Sequence, residues 1–97
     1  MNKTELIKLL ATETNKSQSD VGDVVSALQR VIMETVAAGD TVALPGFGTF
    51  KSNKRAARQG KNPATGAMLY IPAAIVPKFT SGATFKTLVK NGTELED

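Results

Sequence analysis

Apolar side chains recur along the first forty residues at helical spacing, and the period then changes. Leu6, Ile7, Leu10 and Ala11 mark one face of a first segment, and Asn2 followed by Glu5 fits an N-terminal capping box. A helix is predicted over residues 3–14. Asn15-Lys16 interrupts the pattern, and Ser17 with Asp20 three residues later offers a second cap. Val21, Val24, Val25, Leu28, Val31, Ile32 and Val36 then trace a wide apolar stripe over about 18–38, closed by Ala38-Gly39-Asp40. Two helices joined by a short turn make a helical hairpin with one apolar face.

After Asp40 the alternation is that of strands. Thr41-Val42-Ala43-Leu44 leads through a Pro45-Gly46 turn into Phe47-Gly48-Thr49-Phe50, which reads as a β-hairpin. Phe47 and Phe50 are an odd number of positions apart, so if both lie in one strand and face one core, a bulge is required, and Gly48 is where it is expected. Lys51 to Gly60 has hardly any large apolar side chain, so this stretch is expected to leave the packed body. Asn62-Pro63-Ala64-Thr65-Gly66 forms a turn, and a return strand runs from Met68 to Phe79, with Pro72 and Pro77 confined to edge or bulge positions. A short helix follows over about 83–90, with Phe85, Leu88 and Val89 on one face and Asn91-Gly92 as its stop. Residues 93–97 form a short acidic tail, expected to fray.

The fold class is therefore α+β: a helical hairpin, a three-stranded antiparallel sheet with a long protruding β-ribbon arm at about 53–75, and a short C-terminal helix. No linker divides the 97 residues, which read as one domain: a helical dimerisation part (1–40), the sheet and arm (41–80), the C-terminal helix (81–92) and the tail (93–97). A core this small is marginal, and the chain has neither Cys nor His to reinforce it through a disulfide or a typical zinc site. Dimerisation is the remaining way to bury enough apolar area. No apolar run is long enough for a membrane span, so a soluble, intracellular protein is expected.

Charge changes the picture more than composition does. Residues 1–40 carry four basic and six acidic side chains, residues 41–93 carry eight basic and none acidic, and the last four carry three acidic ones. Folding alone gives no reason to exclude carboxylates from 53 consecutive residues, and a polyanion partner does. Lys51, Lys54, Arg55, Arg58 and Lys61 lie on the ribbon among small residues that let the backbone approach a surface. A solvated edge strand also uses charge against aggregation, but that accounts for charge and not for its single sign. Pro63 at the tip serves either as a turn former or as an apolar wedge. Tyr70 suits base stacking or a cross-strand contact equally.

Gly46-Phe47, Phe50, Arg55, Arg58, Gly60, Asn62-Pro63 and Thr65, with Met1 to Leu6, Ile71-Pro72-Ala73 and Val76-Pro77, together resemble the signature of the bacterial HU/IHF histone-like proteins over residues 1–90. HU and IHF are named members of the class of architectural proteins that wedge apolar side chains into the minor groove. The resemblance implies an intertwined dimer whose two arms embrace double-stranded DNA in the minor groove, with Pro63 as the intercalating wedge. It places Lys3, Lys51, Lys54, Arg55, Arg58, Lys61, Asn62, Pro63 and Lys86 on DNA. Phe47, Phe50 and Phe79 fall in the core and dimer interface. It also implies cytoplasmic, nucleoid-associated work on DNA with little sequence preference, favouring nicked, gapped or kinked sites. Asn53, Ile75, Thr80 and Ala83 stand where relatives often carry Lys or Arg, which implies a shorter effective site or binding that resists salt less well.

Three other readings compete. A sequence-specific IHF-like subunit would form a heterodimer, although few side chains on the arm read bases. An interaction module would use the basic arms on an acidic protein. An enzyme is the weakest, because the chain has no His, Cys or phosphate loop and its carboxylates lie away from the arm. No catalytic residue, metal ligand or cofactor is assigned.

Overall fold

The computed structural model describes residues 1–92. Its elements are α1 (Lys3–Thr14), α2 (Gln18–Ala37), β1 (Val42–Leu44), β2 (Gly48–Arg55), β3 (Arg58–Lys61), β4 (Met68–Ile71), β5 (Ala74–Ser81) and α3 (Ala83–Gly92). The chain divides into two compact units, Met1–Glu34 and the portion from Thr35 onward.

In the first unit, capping sets the helix limits. The Asn2 side chain accepts from the Glu5 N–H at 2.9 Å and starts α1. Asn15 ends it in the left-handed region at φ 55°, while the Asn15 and Lys16 N–H groups close back onto Thr12 and Ala11. Ser17 then accepts from the Asp20 N–H at 3.0 Å, opening α2. The hairpin closes through Lys3, whose Nζ donates to Ser26 Oγ at 3.0 Å.

The second unit begins at Thr35, in the last turn of α2. Gly39, at φ 90°, and Asp40 donate to Val36 and Thr35, so the expected glycine stop is present. The three-stranded sheet has the order β1-β2-β5, and β3 and β4 form a separate two-stranded ribbon. All pairings are antiparallel.

One strand expectation needs correction. No bulge occurs at Gly48, which pairs one-to-one with Leu44 on one side and Ser81 on the other. Phe47 lies in the turn before β2 and not in the strand, so it comes within 6.3 Å of the Phe50 ring without any bulge. Lys51 to Arg55 continue β2 past the end of β1 at Phe50 and pair with β5 alone as far as Arg55↔Ala74, so the ladder there is two-stranded, with Lys51, Lys54, Arg55, Ile75 and Pro77 exposed. Pro77, opposite Ser52, lies on the sheet's edge strand, where its missing donor costs no ladder bond to a further strand. α3 runs two residues beyond the predicted end, through Asn91-Gly92. The predicted acidic tail, 93–97, lies outside the described residues.

Phe47, Phe50, Phe79 and Phe85 gather on one side of the sheet, with centroid separations of 4.7 to 6.3 Å and Phe47 stacked on Phe85. A close backbone approach fixes α3 to the β1–β2 turn. Gly82 donates to the Phe47 carbonyl at 2.8 Å, and Phe85 donates to the carbonyl of Gly46, itself at φ 82°. Even so, Ala11 is the single buried hydrophobic residue among those described, and Val24, Leu28, Met33, Phe47 and Leu88 are all exposed.

Candidate nucleic-acid interface

The arm is a continuation of the sheet. β2 and β5 run from Gly48↔Ser81 to Arg55↔Ala74, and β3 and β4 run from Arg58↔Ile71 to Lys61↔Met68. Between them Ala56-Ala57 and Pro72-Ala73 belong to no strand. Each side omits two residues, so the register is the same before and after the gap. The expected arm at about 53–75 corresponds to the outer end of this structure.

Side chains directly opposite each other share a face of an antiparallel pair. Lys61 therefore lies with Met68, and Arg58 with Ile71 on the other face. Each face of the ribbon combines a cation with apolar surface, and Met68, Leu69 and Tyr70 are exposed. A body of this kind can enter a groove and meet phosphates on both walls.

At the tip, Asn62 Oδ1 accepts from the Ala64 N–H at 2.9 Å, an Asx-turn that fixes the chain on either side of Pro63. The Asn62 N–H donates to Ala67, the Gly66 N–H donates to the Asn62 carbonyl, and Gly66 takes φ 72°. Pro63 is exposed at the end of this closed loop, while Asn62 is half-buried and its side chain is engaged with the loop's own backbone.

The structure places Lys51, Lys54 and Arg55 on β2, Arg58 and Lys61 on β3 in the same register beyond the gap, and Asn62 and Pro63 at the tip. Lys86 stands exposed on α3, and Lys3 stands on α1 in the other unit, bonded to Ser26. Phe47, Phe50 and Phe79 meet in the ring cluster. Lys78 is a cation that sequence reasoning missed. It lies 27 residues from Lys51 in the chain yet directly opposite it across β2 and β5. The return strand's alternation could have pointed to it had the register been known.

Among the described residues no group of three or more His, Cys, Asp or Glu side chains could hold a metal, and no helix is long and apolar enough to cross a membrane.

Residues 1–90 match the family model described as bacterial DNA-binding protein. DNA-binding protein HU-1 of Halalkalibacterium halodurans is 48% identical over 90 residues, covering 93% of this chain and 100% of that protein. The HU chain of an Anabaena HU–DNA cocrystal structure superposes with a TM-score of 0.85 at 40% identity, covering 92% of this chain and 97% of that one. HU from Thermotoga maritima superposes with a TM-score of 0.65 at 27% identity, over 92% of this chain and 98% of its own. With helices, antiparallel sheet and ribbon in common with these structures, and with the family pattern running over residues 1–90, this chain belongs to the bacterial HU/IHF family of DNA-binding proteins, a family of architectural proteins and not of enzymes.

Proposed function

We propose that this protein is an architectural DNA-binding protein that acts as a homodimer. Its two arms lie in the minor groove, and Pro63 of each arm enters a base step and bends the duplex with little sequence preference. The observation that carries the reading is the ribbon: five cations and no carboxylate side chain on its outgoing strands, with an exposed proline on a tip closed by Asn62. The likeness to the HU chain of the Anabaena HU–DNA cocrystal structure supports it.

The dimer follows from the missing core. Among the described residues of one chain only Ala11 is a buried hydrophobic side chain, and Pro45, Phe47, Phe85 and Leu88 line an open apolar groove. A second copy is the occupant that completes it, since one chain leaves Val24, Leu28, Met33, Phe47 and Leu88 exposed.

Binding is then driven mainly by counterion release and opposed by the bend. If about eight phosphates are neutralised per dimer, log K falls against log salt with a slope of roughly −7. Smooth bending costs on the order of 1–6 kcal/mol, and a nick or gap removes part of that cost. The test is a salt-titrated binding assay on an intact duplex and the same duplex with a nick, using wild type and Pro63→Ala. The nicked duplex is expected to bind more tightly, and Pro63→Ala to lose bending more than affinity. Equal affinity for the two duplexes would refute the bending mechanism.

A further inference from the structure

Lys51 and Lys78 face each other across β2 and β5, and both are exposed. The neighbouring pair, Phe50↔Phe79, points to the ring cluster, so by strand alternation the two lysines share the opposite, outer face of the sheet. Like charges directly opposite each other weaken an antiparallel pair. No carboxylate side chain occurs between Thr41 and Thr93 to relieve this one. Solubility alone would be served as well by one lysine, or by a lysine facing a carboxylate.

The surroundings favour an anion. Thr49↔Thr80, the next pair on the same face, offers two hydroxyls. Opposed Cβ atoms lie roughly 4.5–5.5 Å apart, so two ammonium groups on long flexible stems can converge on a single phosphate, which Lys binds as a point charge. Arg55 lies four residues further along β2 on the same face, roughly 13 Å away at 3.3 Å per residue.

We propose that Lys51 and Lys78 form a two-cation phosphate site on the outer face of the sheet, holding the DNA backbone beside the base of the arm. The proposal rests on the DNA-binding reading and extends it from the ribbon to the sheet, with Lys78 as an added specificity-neutral contact. The pair is costly in the free protein and useful in the complex, so folding and binding respond to substitution in opposite directions.

The experiment compares wild type, Lys78→Glu, Lys78→Gln and Arg58→Gln by thermal unfolding without DNA and by salt-titrated binding to a nicked duplex. Lys78→Glu, facing Lys51, is expected to unfold at a higher temperature than wild type in low salt and yet to bind DNA more weakly. Lys78→Gln is expected to reduce the salt slope by about 0.9 per chain, close to a tenfold loss of affinity per chain at 0.1 M salt. A wild-type slope in Lys78→Gln, with Arg58→Gln losing its share, would overturn the proposal and confine DNA to the arm. Weak binding without salt dependence in wild type itself would overturn the DNA-binding reading, and this site with it. If Lys78→Glu fails to fold, the glutamine variant decides.

Discussion

Gly82→Ala tests whether the backbone approach between α3 and the β1–β2 turn organises the sheet unit. A methyl group at Gly82 would lie 2.8 Å from both the carbonyl carbon and the oxygen of Gly46, and 3.1 Å from the Phe47 nitrogen. All three are backbone atoms, so no side chain can rotate away, and the turn and α3 must separate by several tenths of an ångström. Overpacking of this kind costs roughly 1–3 kcal/mol. The same shift stretches the bonds from Gly82 to Phe47 and from Phe85 to Gly46, at 2.8 and 3.0 Å, each worth about 0.5–1.5 kcal/mol. Relaxation retains part of both bonds, so a loss of about 2–4 kcal/mol is expected. The assay is urea unfolding at one fixed protein concentration, because the stability of the dimer proposed above would depend on that concentration. Gly22→Ala is the control. Gly22 lies within α2, where its methyl would meet no atom beyond the helix's own backbone closer than Ile7 Cδ1 of α1 at 3.8 Å, and the change should stabilise by about 0.5–1 kcal/mol. A Gly82→Ala protein within 1 kcal/mol of wild type would refute the close-approach argument.

Asn62→Ala removes the acceptor for the Ala64 N–H and leaves the two backbone bonds of the tip in place. Global unfolding should move by less than about 0.5 kcal/mol, while the bend measured by energy transfer between duplex ends shrinks; an unchanged bend would show that the Asx-turn does not orient Pro63. Phe79→Ala removes a ring packed against Phe47, Phe50 and Phe85. A loss of about 3–5 kcal/mol, with sedimentation shifting from dimer toward monomer at micromolar concentration, is expected, and an unaltered unfolding midpoint would remove Phe79 from the interface.

Local signals made the helices legible. Asn2, Ser17 and Gly39 act in the structure as their positions suggested, because a cap is a contact between near neighbours. The errors came where a long-range pairing decides. Treating Phe47 as a strand residue required a bulge at Gly48, and placing it in the turn removes that need. Lys51 to Arg55 carry polar side chains, which composition reads as departure from the packed body; only the register shows that they remain paired with β5 beyond the end of β1. Lys78 went unnoticed for the same reason: its partner is fixed by strand pairing and not by proximity in the chain.

The unpaired steps at Ala56-Ala57 and Pro72-Ala73 give the arm a joint. A ladder without interruption would behave as a plank, whose angle to the body is set once the sheet folds. Here bending is expected at the unpaired residues, most of all at Ala56, Ala57 and Ala73, since the ring of Pro72 fixes its φ. The pairings on both sides share one alignment, which a bend at the joint need not disturb. The angle at which the tip arrives is thereby separated from the identity of the residues it presents, so one arm can follow duplexes of different curvature without being re-registered.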